Sequence, residues 1–291
     1  MTKNNKIGWL FSAPYLIFTI IFFLLPLFWS IWLAVTDWNM ISPNINFVGL
    51  ENFVDAIKSP AVHSAFFVTY EFLLVFVPMA MVLSMIVALL VHHLPRLKGL
   101  FMVVFFLPYL SSGVVTSLIV KGFLSYNGPF NSWLRNSFDI NINWIQNPHT
   151  VIPIISLMIA WKMSGYYGLI LVSGLQNING EIYESAALDG ASSWKTFWKI
   201  TFPMLYPAFY TVMVLAIGIS FGIFTEVYQL TGGGPNYATN TWQMEIYNQA
   251  FQNLNSGYAS AIALISSVVT FASIGVIRKL LEKWGRHNGW S

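Results

Sequence analysis

Glu181-Ile182-Tyr183-Glu184-Ser185-Ala186-Ala187-Leu188-Asp189-Gly190-Ala191, followed by Ile200-Thr201-Phe202-Pro203, is a polar stretch set between two hydrophobic segments. A chain crossing a membrane twice needs only a few residues to turn round in water. Here residues 176–205 form a connection with helical spacing, charges and a glycine at 190. The spacing predicts a short helix over 181–189. Glu181 and Glu184 fall in its first turn, where carboxylates suit the positive end of the helix dipole. Ala186 and Ala187 give it a small, close-packing face, and Gly190 ends it in the left-handed conformation that glycine adopts cheaply. A second helical stretch, about 192–200, carries Trp194, Phe197, Trp198 and Ile200, and Pro203 is expected to break it before the next span. Ala and Gly bracketed by carboxylates suit a protein groove better than lipid headgroups, which draw Lys and Arg. The alternative is an amphipathic loop lying on the membrane surface.

Composition sets the class around this loop. Of 291 residues, 56% are hydrophobic and only 9% charged, against about 25% charged in soluble domains. So few charges cannot cover a water-facing surface, which points to a membrane protein. The net charge of +3 is too small and too scattered for a nucleic-acid footprint. The absence of Cys excludes disulfides, thiolate metal sites and Cys nucleophiles. The first hydrophobic segment lacks a small-residue cleavage site and reads as a retained span, not a signal peptide.

A span needs roughly 20 mostly apolar residues to cross about 30 Å of hydrocarbon. Six segments qualify: about 10–35, 65–91, 99–122, 151–175, 206–230 and 259–281. The reading is thus an all-α membrane protein of six transmembrane helices. It forms a single transmembrane domain over 1–291 with its core at about 65–281. Prolines in or at the ends of these spans suggest a packed bundle, in which neighbours or water satisfy the freed carbonyls. One set of connections holds Lys3, Lys6, Arg96, Lys98, Lys195, Lys199, Arg278, Lys279, Lys283 and Arg286; the other holds only Lys58, Lys121 and Arg135. The positive-inside rule then places both termini and the 176–205 loop in the cytoplasm. Loops 36–64, 123–150 and 231–258 fall outside.

Charge is expensive in a bilayer, so the ionisable residues within spans are candidates for function. Glu71 lies near the outer end of its span and reads as snorkelling, and Lys121 reads as an anchor at a span end. Lys162 is about eleven residues from the outer end of span four, about 16 Å deep at about 1.5 Å per residue. Its options are backbone carbonyls inside the bundle or a watery path. No carboxylate is obviously level with it in the sequence. Ile159, Lys162, Met163 and Tyr166 share one helical face, with Tyr167 beside it. Ser164 and Gly168 on the opposite side have a small-xxx-small packing spacing. On span five, Ala216, Ile219, Ser220, Ile223, Glu226 and Val227 are expected to share a face, with Glu226 nearer the outer mouth.

Glu184, Ala186, Asp189, Gly190, Ile200 and Pro203 match, at the right spacing, the EAA motif of binding-protein-dependent ABC importer permeases. Ser185 replaces an Ala of that motif and Phe202 its Leu. Phe47–Phe53 resembles the family's outer segment. Tyr228–Pro235, then Thr241, Tyr247, Phe251 and 257–261, resembles its carbohydrate branch, and Thr231-Gly232-Gly233-Gly234-Pro235 the MalF-like subunit. The resemblance covers about residues 8–285. It implies the type I importer permease fold in a bacterial or archaeal cell (inner) membrane. It also implies a heterodimer with a MalG-like permease, two cytoplasmic ATPase subunits and an extracytoplasmic sugar-binding protein. The loop's first helix would sit in a cleft of the ATPase, with Glu184, Ala186, Asp189, Gly190, Ile200 and Pro203 as the coupling residues. The resemblance also puts substrate contacts on spans four and five: Lys162, Met163, Tyr166, Ser220 and Ile223, flanked by Tyr167 and Glu226. Tyr166 would stack on a sugar ring; Lys162 would donate to hydroxyls or pair with an acidic group.

No Gly-x-x-x-x-Gly-Lys-Ser/Thr phosphate loop is present. The chain therefore reads as a non-catalytic transport subunit with no cofactor of its own, ATP and Mg being used by the partner ATPase. An ion-coupled secondary carrier for a small polar solute is the alternative, although the internal repeat common in such carriers is not evident. His63, His92, His93, His149 and His287 have no metal-ligand spacing, so an intramembrane metalloenzyme is disfavoured.

Overall fold

The computed structural model describes residues 3–94 and 96–290, with side chains from Gly8 onward. The side chains of Lys3 and Lys6, counted toward the orientation, lie outside the described ones. Its helices are α1 (Gly8–Leu33), α2 (Glu51–Lys58), α3 (Pro60–His93), α4 (Lys98–Leu110) and α5 (Gly113–Phe123). There follow α6 (Pro129–Phe138), α7 (Pro148–Gln176), α8 (Gly180–Leu188), α9 (Ser193–Gly222), α10 (Thr225–Leu230), α11 (Trp242–Tyr247) and α12 (Ser256–His287). Five of them are long and apolar enough to cross a membrane, and the α4–α5 pair makes up to six. Among the described residues the only β pairing is an isolated bridge between Thr36 and Phe47.

The chain divides into two compact units. One comprises the chain up to His63 with Glu245–Val268; the other comprises Ser64–Met244 with the chain from Val269 onward. In the first, α1 exposes almost its whole apolar surface, as a helix bathed in lipid does. The loop after it is fastened by Asn52, whose amide donates to the Ala34 and Thr36 carbonyls at 3.0 and 2.8 Å. Gly257 completes the clasp: its N–H donates to the Trp38 carbonyl at 3.0 Å, and a Cβ there would overlap the Thr36 carbonyl. Asp37 accepts from the side chain and backbone of Asn46, which holds its carboxyl below the usual range.

The second unit is built around α7, which buries Ile155, Ile159, Leu171 and Leu175 almost completely. Asn147 caps it by accepting from the His149 N–H, and Pro148 fits the first turn, where a missing N–H costs nothing. Glycines on α7 set the spacing of its neighbours. A Cβ at Gly165 would overlap the Phe105 carbonyl of α4, and one at Gly168 would lie 2.9 Å from Val87 of α3. One at Gly174 would lie 2.7 Å from both Leu205 and Ala208 of α9. Small residues of this kind let helix backbones approach where no hydrophobic drive assembles them.

Three expectations are corrected. The third span is not continuous: α4 and α5 meet at an 89° bend around Ser111 and Ser112. Pro108 and the following Ser-Ser-Gly supply the reason, since the Ser111 hydroxyl donates to the Pro108 carbonyl at 2.6 Å and replaces helical bonding there. The fifth span ends at Gly222, not near 230; Ile223 is extended and a new short helix begins at Thr225. Finally, Pro203 does not break its helix. Residues Phe197–Thr201 widen into a π turn, and the Phe202 N–H reaches back to the Phe197 carbonyl, so the helix runs through. The same device precedes Pro26, with Ile20–Leu24 in π form and the Leu25 N–H bonded to the Ile20 carbonyl.

Candidate functional site

Lys162, on α7, is not left to backbone carbonyls. Its Nζ lies 3.5 Å from Oε1 of Glu226, with the two side chains only 9% and 15% exposed. The sequence showed no carboxylate level with this lysine because a continuous fifth helix would carry Glu226 past it. The break at Ile223 changes the path of the chain, and Glu226 sits in the first turn of α10, where the backbone dipole favours its charge. A buried charge needs a partner to be tolerated, and each residue supplies the other's. Gly113, the first residue of α5, makes the room: a Cβ there would stand 2.7 Å from Glu226 Oε1 and 3.3 Å from Thr225 Cγ2. Two interrupted helices, α4–α5 and α9–α10, therefore meet at the ion pair.

Several polar groups around the breaks have partners. The Thr241 hydroxyl donates to the Ile223 carbonyl at 3.2 Å, and Ser111 shares a 2.8 Å bond with Thr116. Lys121 Nζ donates to the Gln229 carbonyl at 3.2 Å, tying α5 to the end of α10. Non-helical backbone at membrane depth is tolerated only where protein or a watery cavity meets it.

The remaining residues singled out on these spans are placed differently. Tyr166 stacks on Tyr109 of α4, ring centres 4.7 Å apart and planes 13° from parallel. Tyr167 is fully buried, and its hydroxyl has no hydrogen-bond partner among the described residues. Met163 is half-buried. Ser220 is buried with its hydroxyl turned back to the Ala216 carbonyl at 3.0 Å. Ile223 is buried in the break and does not continue the helical face of Ser220. Lys162 and Glu226 are thus brought together, whereas Ser220 and Ile223 present no free polar group. Tyr109 and Gly113 were missed from the sequence. Gly113 was signalled by the Ser-Ser-Gly run, but Tyr109 is marked only by its contact. Among the described residues, no three His, Asp or Glu side chains converge as a metal set.

The loop at 176–205 has its own construction. The Asn179 side chain caps α8 by accepting from the Glu181 N–H at 3.1 Å. At the other end Gly190 has φ +70°, its N–H donates to Ala187, and Ala191 donates to Ala186. This paired pattern is a Schellman close. Tyr183 pins α8 to the start of the fifth span through a 3.2 Å bond to Thr201. Ala186 turns inward, while Leu188 is 90% and Trp194 73% exposed. Glu184, Asp189 and Gly190 are exposed beside Leu188, Ile200 and Pro203 are half-buried, and nothing lies within 4 Å of where a Cβ at Gly190 would sit.

With this geometry in place, residues 72–286 match the family described as binding-protein-dependent transport system inner membrane component. The chain belongs to that family. It is a multi-pass membrane permease and not an enzyme. It is 31% identical over 281 residues, 96% of this chain and 95% of the relative, to the multiple sugar-binding transport system permease protein MsmF of Streptococcus mutans. It is 34% identical to the lactose transport system permease protein LacF of Rhizobium radiobacter, over 89% of this chain and 88% of that one. Among solved structures, the fold is similar to a chain of a bacterial ABC transporter involved in the import of the acidic polysaccharide alginate. That likeness has a TM-score of 0.79 over 98% of each chain, at 24% identity, and it concerns the fold.

Proposed function

We propose that this permease is one subunit of an ATP-driven sugar importer. It forms half of a translocation path with a second, MalG-like permease and takes its energy from two cytoplasmic ATPase subunits. An extracytoplasmic sugar-binding protein delivers the solute. Its relatives MsmF and LacF carry sugar transport in their names, and the whole chain, 1–291, acts as one permease domain with both termini in the cytoplasm. The path runs beside Lys162, Met163 and Tyr166, with Tyr167, Ser220, Ile223 and Glu226 shaping it. Because Glu226 neutralises Lys162, the oligosaccharide handled is met there by a balanced pair and not by a lone cation.

The observation that carries the coupling role is the tip of α8, a capped helix that ends in a fixed Schellman turn and leaves Leu188, Asp189 and Gly190 in the open. A rigid helix with an exposed apolar knob transmits displacement in a way that a floppy loop cannot. Gly190→Asp tests it. The permease is expected to reach the membrane normally while losing sugar uptake and co-purification with its ATPase. Gly190→Asn, which tolerates a positive φ as Asp does but adds no charge to the exposed tip, is expected to keep more of both. Normal uptake in Gly190→Asp cells would remove the docking role and favour an ion-coupled carrier.

A further inference from the structure

Tyr206 and Tyr210 of α9, with Arg278, Glu282 and Arg286 of α12 and Trp290 beyond it, line a cavity of about 450 Å³. None of these residues has a place in the transport path or the loop described above. Gly285 lets the wall form: a Cβ there would overlap the Tyr206 ring, whose hydroxyl donates to the Leu281 carbonyl. Trp290 closes one side, 5.7 Å from Tyr206 and 4.8 Å from Trp284 between ring centres.

The charges in the cavity do not cancel. Glu282 is engaged by the Tyr210 hydroxyl at 2.9 Å and by Arg278 at 3.7 Å, and Arg278 Nε also donates to Tyr210. Arg286 has no carboxylate within ion-pair range among the described residues. One carboxylate thus faces two guanidinium groups. The depth is telling as well. Residues 259–277 of α12 carry no charge, and Arg278, Lys279, Glu282, Lys283 and Arg286 then follow in quick succession. The cavity sits where hydrocarbon-compatible helix gives way to headgroup-compatible helix, amid the Trp and Tyr side chains that favour that level. Along the same face of α12, at i, i+4, i+7 and i+11, stand Phe271, Gly275, Arg278 and Glu282. Phe271 is 75% exposed, and nothing lies within 4 Å of a Cβ at Gly275. An open apolar lane therefore leads from the bilayer to the arginines.

We propose that this cavity binds the headgroup of an anionic phospholipid. Its phosphate accepts hydrogen bonds from Arg286 and from the one unengaged guanidinium nitrogen of Arg278, its glycerol packs against Trp290 and Tyr206, and an acyl chain lies along the Gly275 lane. Basic pockets between spanning helices take such headgroups, and a guanidinium suits a phosphate better than an ammonium does.

The test uses the full-length chain in detergent, stripped of lipid and titrated with phosphatidylglycerol, with phosphatidylcholine of the same acyl chains, or with inorganic phosphate. Bound lipid is counted by native mass spectrometry and stabilisation is followed by Tm. Phosphatidylglycerol is expected to bind in preference and raise Tm. Arg286→Gln removes no side-chain hydrogen bond or ion pair among the described residues, so the fold is expected to be retained; its affinity is expected to fall about fivefold. Arg278→Gln/Arg286→Gln falls further, whereas Lys279→Gln, outside the cavity, stays at the wild-type value. Gly275→Leu, which fills the lane, weakens phosphatidylglycerol as well. Equal binding of phosphatidylcholine, or an equal loss in Lys279→Gln, would overturn the site. An equal Tm gain from inorganic phosphate, with no effect of Gly275→Leu, would show a free-anion site and overturn the lipid.

Discussion

At Lys162 and Glu226 two largely buried charges depend on each other. Each charge is tolerable only because the other stands 3.5 Å away, largely out of water. Glu226→Gln leaves the lysine with a weak partner in a place where an unpaired charge is costly, and removal of one member of a buried pair typically costs about 3–5 kcal/mol. Lys162→Met alone strands the carboxylate in the same way. The double variant Lys162→Met/Glu226→Gln removes both charges and is expected to recover most of that loss. Thermal unfolding of the four proteins in one detergent gives the cycle. Additive losses would mean that the pair does not interact. Sugar uptake adds a second reading: a double variant that is stable but inactive would assign the pair to transport, whereas a stable and active one would assign it to the fold.

The elements teach a different lesson about what a sequence announces. The six apolar runs and the close of α8 at Gly190 were legible, because hydrophobic length and a glycine after a periodic stretch leave local marks. The continuity of the helices was not legible in the same way. Pro203 looks like a stop, yet the π turn at Phe197–Thr201 absorbs the missing N–H. The run from 99 to 122 looks unbroken, yet it bends by 89°. In both places the outcome depends on which distant group satisfies a freed carbonyl, and spacing along one chain cannot show that. The Lys162–Glu226 pair went unseen for this reason, since it exists only once α9 has stopped at Gly222. The packing of α4 on α7 makes the point testable. Gly165→Val drives a branched side chain into the Phe105 carbonyl, and overpacking of this kind costs about 1–3 kcal/mol or more. Gly275→Ala enters open space and is expected to cost nothing. A lowered Tm for the first and an unchanged Tm for the second, on proteins expressed to equal levels, is the expected pattern. Equal stability of both would mean that the two helices can separate without loss.

For the whole molecule, function rests on which face of the membrane each loop occupies. Basic residues gather at Arg96, Lys98, Lys195, Lys199 and from Arg278 to Arg286, and they are sparse on the other side. From that asymmetry we propose that the α8 tip and the arginine-lined cavity lie on the cytoplasmic side, and the loop held together by Asn131 on the outside. Asn131 is buried. Its amide donates to the Ser125 and Ile142 carbonyls, and its oxygen accepts from Ile142 and Trp144, so this loop is a fixed landmark. The chain has no cysteine, which permits a clean measurement. Ser137→Cys and Ser193→Cys each place one thiol at an exposed position, one on each expected side. In cells made permeable only at any outer barrier, a membrane-impermeant maleimide is expected to label Ser137→Cys at once and Ser193→Cys only after the membrane is opened. The reverse pattern would turn the molecule over. It would put Leu188 and Gly190 on the side without ATP, and the coupling role of the α8 tip would fall with it.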